Sequence, residues 1–121
     1  MDAQLGPWSW RPAAHPDRMI PPTRIAAAVA DRLEVSRTAI FGSRRTAEIA
    51  LARQVSMFLI RRQTGRSFYA SGRFFGRDHS TVQHGVREID ARLQRAPALR
   101  ALVDAAAAQA AQPNPEKGVS A

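Results

Sequence analysis

The sequence predicts an all-α fold: a compact bundle of about six helices with an arm on each side. Three observations carry this. Between residues 23 and 112 apolar residues recur at steps of three and four nearly everywhere. No stretch shows the strict alternation of a half-buried strand. Proline is concentrated at the ends, with Pro7, Pro12, Pro16, Pro21 and Pro22 on one side and Pro113 and Pro115 on the other.

Residues 1–22 are too interrupted by proline to sustain a helix and are expected to form a flexible arm. Thr23 is placed to cap a first helix with Ile25, Val29 and Leu33 on one stripe. Ser36 is placed to cap a short second helix, 37–41, ended by Gly42. Thr46 opens a long third helix with a broad apolar face of Ile49, Ala50, Val55, Met57, Phe58 and Leu59, and Thr64-Gly65 ends it. Ser67 caps a short fourth helix, 68–75, broken at Gly76. A fifth starts near Asp78-His79 and carries Val82, Val86, Ile89 and Leu93. Pro97 suits the first turn of a sixth, which runs through Leu99, Leu102 and Val103 to about Ala111. Residues 113–121 read as a flexible tail. The expected organisation is an arm over 1–22, a folded domain over 23–112 and a tail over 113–121.

The chain has 121 residues, the length of one domain. Eighteen Lys and Arg against ten Asp and Glu give a net charge of +8, and Lys117 is the one Lys. That surplus points to a polyanion, either nucleic acid or an anionic membrane. The absence of cysteine excludes disulfides, Cys-ligated zinc and a Cys nucleophile. The first twenty residues lack a signal-peptide pattern, and no apolar run is long enough to span a bilayer. A soluble, cytoplasmic protein is expected.

The segment 67–84 has helix-turn-helix proportions: a short helix, a Gly-containing turn, then a longer helix. The first turn of that longer helix, Asp78-His79-Ser80-Thr81, is entirely hydrogen-bonding, and its later turns are amphipathic. A recognition helix needs this division, with its N-terminal residues in the major groove and its rear face on the domain. Asp accepts from the cytosine amino group, His and Ser bond base edges or phosphate, and the Thr methyl suits the thymine methyl. A polar N-cap cluster has the same composition, so local pattern alone leaves both readings open. The charge favours the first. Residues 44–95 hold eleven Arg and four acids, which is +7 of the +8.

The run Phe74-Phe-Gly-Arg-Asp-His-Ser-Thr-Val-Gln-His-Gly85 resembles the signature of the C-terminal DNA-binding domain of the bacterial chromosomal replication initiator DnaA, roughly F-G-G-R-D-H-[ST]-T-V-x-H. Upstream, Gly42-Ser-Arg-Arg45 resembles the basic loop of that family, Ala52-Arg-Gln54 its A-R-x-[RA]-Q motif and Met57-Phe-Leu its M-[AY]-L core. The resemblance covers about Ile25 to Val103 and implies a Trp-repressor-like helix-turn-helix bundle. It implies that Arg45 enters an A·T-rich minor groove, whose negative potential suits Arg. Arg53 and Gln54 would contact base edge or backbone. Arg61 and the Ser67 helix start would hold phosphates. Asp78, His79, Ser80 and Thr81 would read the major groove, supported by Arg77 and His84. Three departures bear on box preference. Phe75 replaces the first of two glycines, so the turn is expected to pack differently. Ser80 replaces the commoner Thr. Leu51-Ala52 replaces a basic, proline-bearing stretch.

The expected function is sequence-specific binding of double-stranded DNA at DnaA-box-like sites, regulating replication initiation at the nucleoid. The chain contains no G-x-x-x-x-G-K-[ST] loop, so no ATP binding or ATPase activity is expected. The alternative is an adaptor that modulates the initiator or its control proteins through the tails, with weak DNA binding. The arm stretch Gln4-Leu5-Gly-Pro-Trp8 faintly resembles a sliding-clamp peptide, and Trp8 and Trp10 offer contact area for a partner groove. Catalysis is not expected. Consecutive residues Asp78, His79 and Ser80 fan out by about 100° each and form no relay. His79 and His84 are five apart, off the spacing of a helical metal pair, and His15 lies in the arm. No cofactor, metal or membrane partner is expected.

Overall fold

The computed structural model describes residues 20–112. The expected tail over 113–121 and most of the expected arm, including both Trp residues and His15, lie outside the described residues. Six α-helices make up the described part, which contains no strand: α1 Pro22–Leu33, α2 Arg37–Ile40, α3 Ala47–Thr64, α4 Phe68–Phe75, α5 His79–Leu93 and α6 Pro97–Ala111.

The caps read from the sequence hold at three starts. Ser36 Oγ accepts from the Ala39 N–H at 3.4 Å, Thr46 Oγ1 from Ile49 at 3.3 Å and Ser67 Oγ from Ala70 at 3.0 Å. The first start differs. Helix α1 begins at Pro22, with Pro21 as the extended N-cap residue, so Thr23 is an exposed residue inside the helix and caps nothing. Proline serves the first turn because its φ is already helical and the N–H it lacks would have no helical acceptor. Ile20, which falls within the expected arm, is 3% exposed and packs into the core. Helix α2 stops at Ile40, and the Phe41 N–H closes onto the Thr38 carbonyl at 3.1 Å.

Helix α3 is the axis of the molecule. All six residues from Val55 to Ile60 are buried, Ser56 among them, whose hydroxyl donates to the Ala52 carbonyl at 2.8 Å. A helix buried on all sides needs neighbours all round. All five other helices pack against α3, α1 and α5 most extensively. Phe58, Ile25, Ile40, Met57, Leu59 and Ile60 are among the largest wholly buried side chains. Helix α6 closes the bundle on α1, where Gln109 donates to Asp31 at 3.2 Å and accepts from Arg32 at 2.9 Å. No described helix is long and apolar enough to cross a membrane.

Candidate nucleic-acid interface

Helices α4 and α5 form the expected helix-turn-helix. The turn is made by Gly76, in the left-handed region at φ 66°, and by the Arg77 N–H donating to the Gly72 carbonyl at 2.8 Å. One glycine suffices, because Phe75 is still the last residue of α4. Its ring is buried, stacked on Phe41 with centroids 5.6 Å apart and edge-on to Phe74 at 5.0 Å. The departure at Phe75 therefore adds an aromatic anchor beneath the turn.

At the tip of α5 the polar residues face outward. Asp78 is the N-cap residue, and its main-chain carbonyl accepts from Thr81 at 3.1 Å and Val82 at 3.3 Å. Its carboxylate does not cap the helix. It accepts instead from the Ser80 hydroxyl and lies 3.4 Å from His79 Nδ1. The Ser80 hydrogen bond, then the neighbouring His79, hold the Asp78 carboxyl below its ordinary range. His79, Ser80 and Thr81 are all exposed, whereas Val82 is fully buried. The change from solvent-facing to core-facing thus falls between Thr81 and Val82.

His84, one turn later, is exposed on the rim of a shallow groove between α3 and α5 that Gln54 also lines. Gly85 permits the close approach of the two helices, since a Cβ there would lie 3.3 Å from Gln54 Cγ.

The basic loop runs from Gly42 to Thr46 and exposes Ser43, Arg44 and Arg45. It lies beside the helix-turn-helix, because Arg77 joins the two: its guanidinium donates to the Phe75 carbonyl at 3.1 Å and to the Gly42 carbonyl at 3.0 Å. The structure brings Arg45, Arg77 and the 78–81 tip into one neighbourhood although the loop and the tip are some 35 residues apart in sequence.

Arg53 is placed otherwise than the exposed members of the expected set. It is 7% exposed, and its guanidinium points under the loop. Nε donates to the Ile40 carbonyl at 2.7 Å, and one terminal nitrogen reaches the carbonyls of Ala39, Gly42 and Arg44 at 3.1, 3.0 and 3.2 Å. Burial, then the charges of Arg77 and Arg45, hold its pKa below the ordinary arginine value. Arg61 is half-buried at the junction of α3 and α4, donating to the Arg66 carbonyl at 2.6 Å and lying 4.2 Å over the Phe68 ring. Desolvation lowers its pKa. Arg61 thereby braces the start of α4, where Ser67 is exposed. Sequence reading missed the Gly42 carbonyl as the point where Arg53 and Arg77 meet, since a shared main-chain acceptor leaves no residue-type signal. Among the described residues no cluster of three or more His, Cys, Asp or Glu is placed to hold a metal ion.

The family model described as "Bacterial dnaA protein helix-turn-helix" matches residues 22–89, from the start of α1 to the third turn of α5. The chain is 48% identical over 68 residues to the chromosomal replication initiator protein DnaA of Bradyrhizobium sp. (strain BTAi1), covering 55% of this chain and 14% of that protein. The protein of the same name from Deinococcus radiodurans is 40% identical over 82 residues, 68% of this chain and 18% of the relative. That from Rhodopseudomonas palustris (strain BisA53) is 45% identical over 76 residues, covering 62% and 16% respectively. The chain thus spans only a small part of the length of the curated relatives it matches. With the match running through the basic loop, the Gly76 turn and the tip of α5, the chain belongs to the bacterial DnaA helix-turn-helix family.

Proposed function

We propose that this protein binds double-stranded DNA sequence-specifically at DnaA-box-like sites and so regulates replication initiation at the nucleoid, without itself hydrolysing ATP. One observation carries the reading. The Arg77–Gly42 hydrogen bond sets an exposed two-arginine loop beside an exposed His-Ser-Thr helix tip. A duplex presents a major and a minor groove side by side, so neighbouring elements of these two kinds can engage both at once.

The division of labour follows from chemistry. His79, Ser80 and Thr81 offer base-edge hydrogen bonds and a methyl group in the major groove. Asp78 is an acceptor held ionised, suited to a cytosine amino group. Arg45 suits the negative potential of a narrow A·T minor groove. Arg44 and the exposed Arg73 and Arg87 provide charge for phosphates. Ser67 and the first N–H groups of α4, braced by Arg61, offer phosphate a further anchor. The regulatory part of this reading is supported by the relatives' name as chromosomal replication initiators, since a second protein on the same sites would change how many remain for an initiator.

DNase footprinting of the purified protein on an origin fragment tests this. Protection centred on DnaA boxes at moderate salt is expected. Absence of protection there would leave the adaptor reading, in which the protein acts on initiation-control proteins, as the better account.

A further inference from the structure

Arg53 and Arg77 converge on one main-chain oxygen. Each donates to the Gly42 carbonyl at 3.0 Å, Arg53 from beneath the loop and Arg77 from the turn before α5. We infer that the two arginines are a clamp that holds the basic loop in register with the helix-turn-helix, and that they position the DNA-reading groups without themselves touching DNA. This rests on the DNA-binding reading above and extends it to how the two elements are aligned.

The loop needs such a device. Arg44 and Arg45 are exposed, and the charges of Arg45 and Arg77 both bear on the buried guanidinium of Arg53. The neutralising groups are carbonyl dipoles. Ala39 and Ile40 are the last residues of α2, and the Ala39 carbonyl already accepts from the Gly42 N–H at 3.1 Å, which folds the start of the loop back onto the helix end. Arg53 donates to the Ile40 carbonyl and adds a second donor at Ala39, and the same guanidinium reaches the Gly42 and Arg44 carbonyls. A planar fork of five donors can do this, whereas a compact ammonium cannot span the four oxygens. Fixing the loop in the free protein also removes an ordering cost from binding. At 7% exposure Arg53 has little surface left to offer DNA.

The test compares Arg53→Lys, Arg77→Gln, Arg45→Ala and the Arg53→Lys/Arg45→Ala double variant, each with circular-dichroism melting. The first readout is hydrogen exchange of residues 42–46 without DNA. Faster exchange in Arg53→Lys and Arg77→Gln than in the wild type is expected, and unchanged exchange overturns the clamp. The second is affinity for a DnaA-box duplex. Arg45→Ala and Arg53→Lys should each weaken it about 5- to 150-fold, the size of a lost base contact. The double variant should be no more than about twofold worse than Arg45→Ala alone, because positioning Arg45 has no value once Arg45 is gone. Multiplying losses would make Arg53 an independent contact and overturn the inference. The third is salt dependence. Arg77→Gln should keep the wild-type slope, whereas a fall of about one in the slope of log K against log salt would mark a phosphate contact. If Arg53→Lys fails to fold, Arg77→Gln decides by the exchange and slope criteria. If the wild type does not bind the box, the DNA reading fails on that ground, and the exchange result still decides whether the clamp exists.

Discussion

The carbonyl oxygen of Arg77 occupies the space that a side chain at residue 72 would need: a Cβ built on Gly72 would lie 2.5 Å from it. The chain closes back on α4 at this point through the Arg77 N–H to the Gly72 carbonyl. The tightness of the helix-turn-helix therefore depends on a hydrogen atom at residue 72.

Gly72→Ala should destabilise the fold. Alanine is favoured over glycine in a helix by roughly 0.5–1 kcal/mol, but the opposing clash is with main chain, which cannot swing away. Overpacking of this kind costs about 1–3 kcal/mol. The clash wins, and a fall in Tm of several degrees is expected by thermal denaturation. Gly76→Ala is the comparison. No atom lies within 4 Å of its Cβ position, so only the left-handed φ of 66° opposes it, at about 1–2 kcal/mol.

Phe75→Ala should cost about 3–5 kcal/mol, as for other buried phenylalanines. The ring is 3% exposed and holds Phe41 and Phe74 in one cluster beneath the turn. Urea unfolding checks this. A loss well below that range would mean that the cluster does not anchor the turn.

Asp31 gives the fold an acid-sensitive tie. Hydrogen bonds from Arg37, the largest cause, and then from Gln109 hold its pKa below the ordinary value. A carboxylate lowered on folding contributes stability above its unfolded pKa, about 3.9. That contribution is lost as pH falls through the lower folded value. Both partners are largely solvent-exposed, so the effect is small. The urea midpoint of Asp31→Asn should lie slightly below wild type at neutral pH and converge with it below about pH 4.

Much of this was legible in the sequence for local reasons. The caps at Ser36, Thr46 and Ser67 and the stops at Gly65 and Gly76 are chosen by the chemistry of one residue and its near neighbours. The tip of α5 was legible because Asp78 to Thr81 are polar where an amphipathic helix begins. Thr23 misled because a residue type that caps helices lay one position after a proline that suits a helix start equally well. Arg53 was legible as a motif residue, but its inward direction was not. An arginine has the same letter whether it faces solvent or four carbonyls contributed from 9 to 14 residues away. The aromatic contact of Phe75 with Phe41 joins residues 34 apart, beyond any periodicity argument.

His79 and Arg45, the readers proposed above, should be separable by groove. His79→Ala and Arg45→Ala should each lose about 1–3 kcal/mol of box binding. His79→Ala should relax preference at major-groove positions. Arg45→Ala should relax it where A·T pairs narrow the minor groove. Both variants should keep the wild-type Tm, because neither side chain is buried. Anisotropy titrations against single-base-pair variants of the box check this.

The most direct measurement is a competition titration of the full chain, at moderate fixed salt, between a labelled DnaA-box duplex and an unlabelled duplex of the same composition with the box permuted. Specific binding requires the permuted duplex to compete weakly, by a factor of at least about 10³. Equal competition by the two duplexes would show that the +8 chain binds DNA by charge alone and would contradict box recognition by α5 and the basic loop.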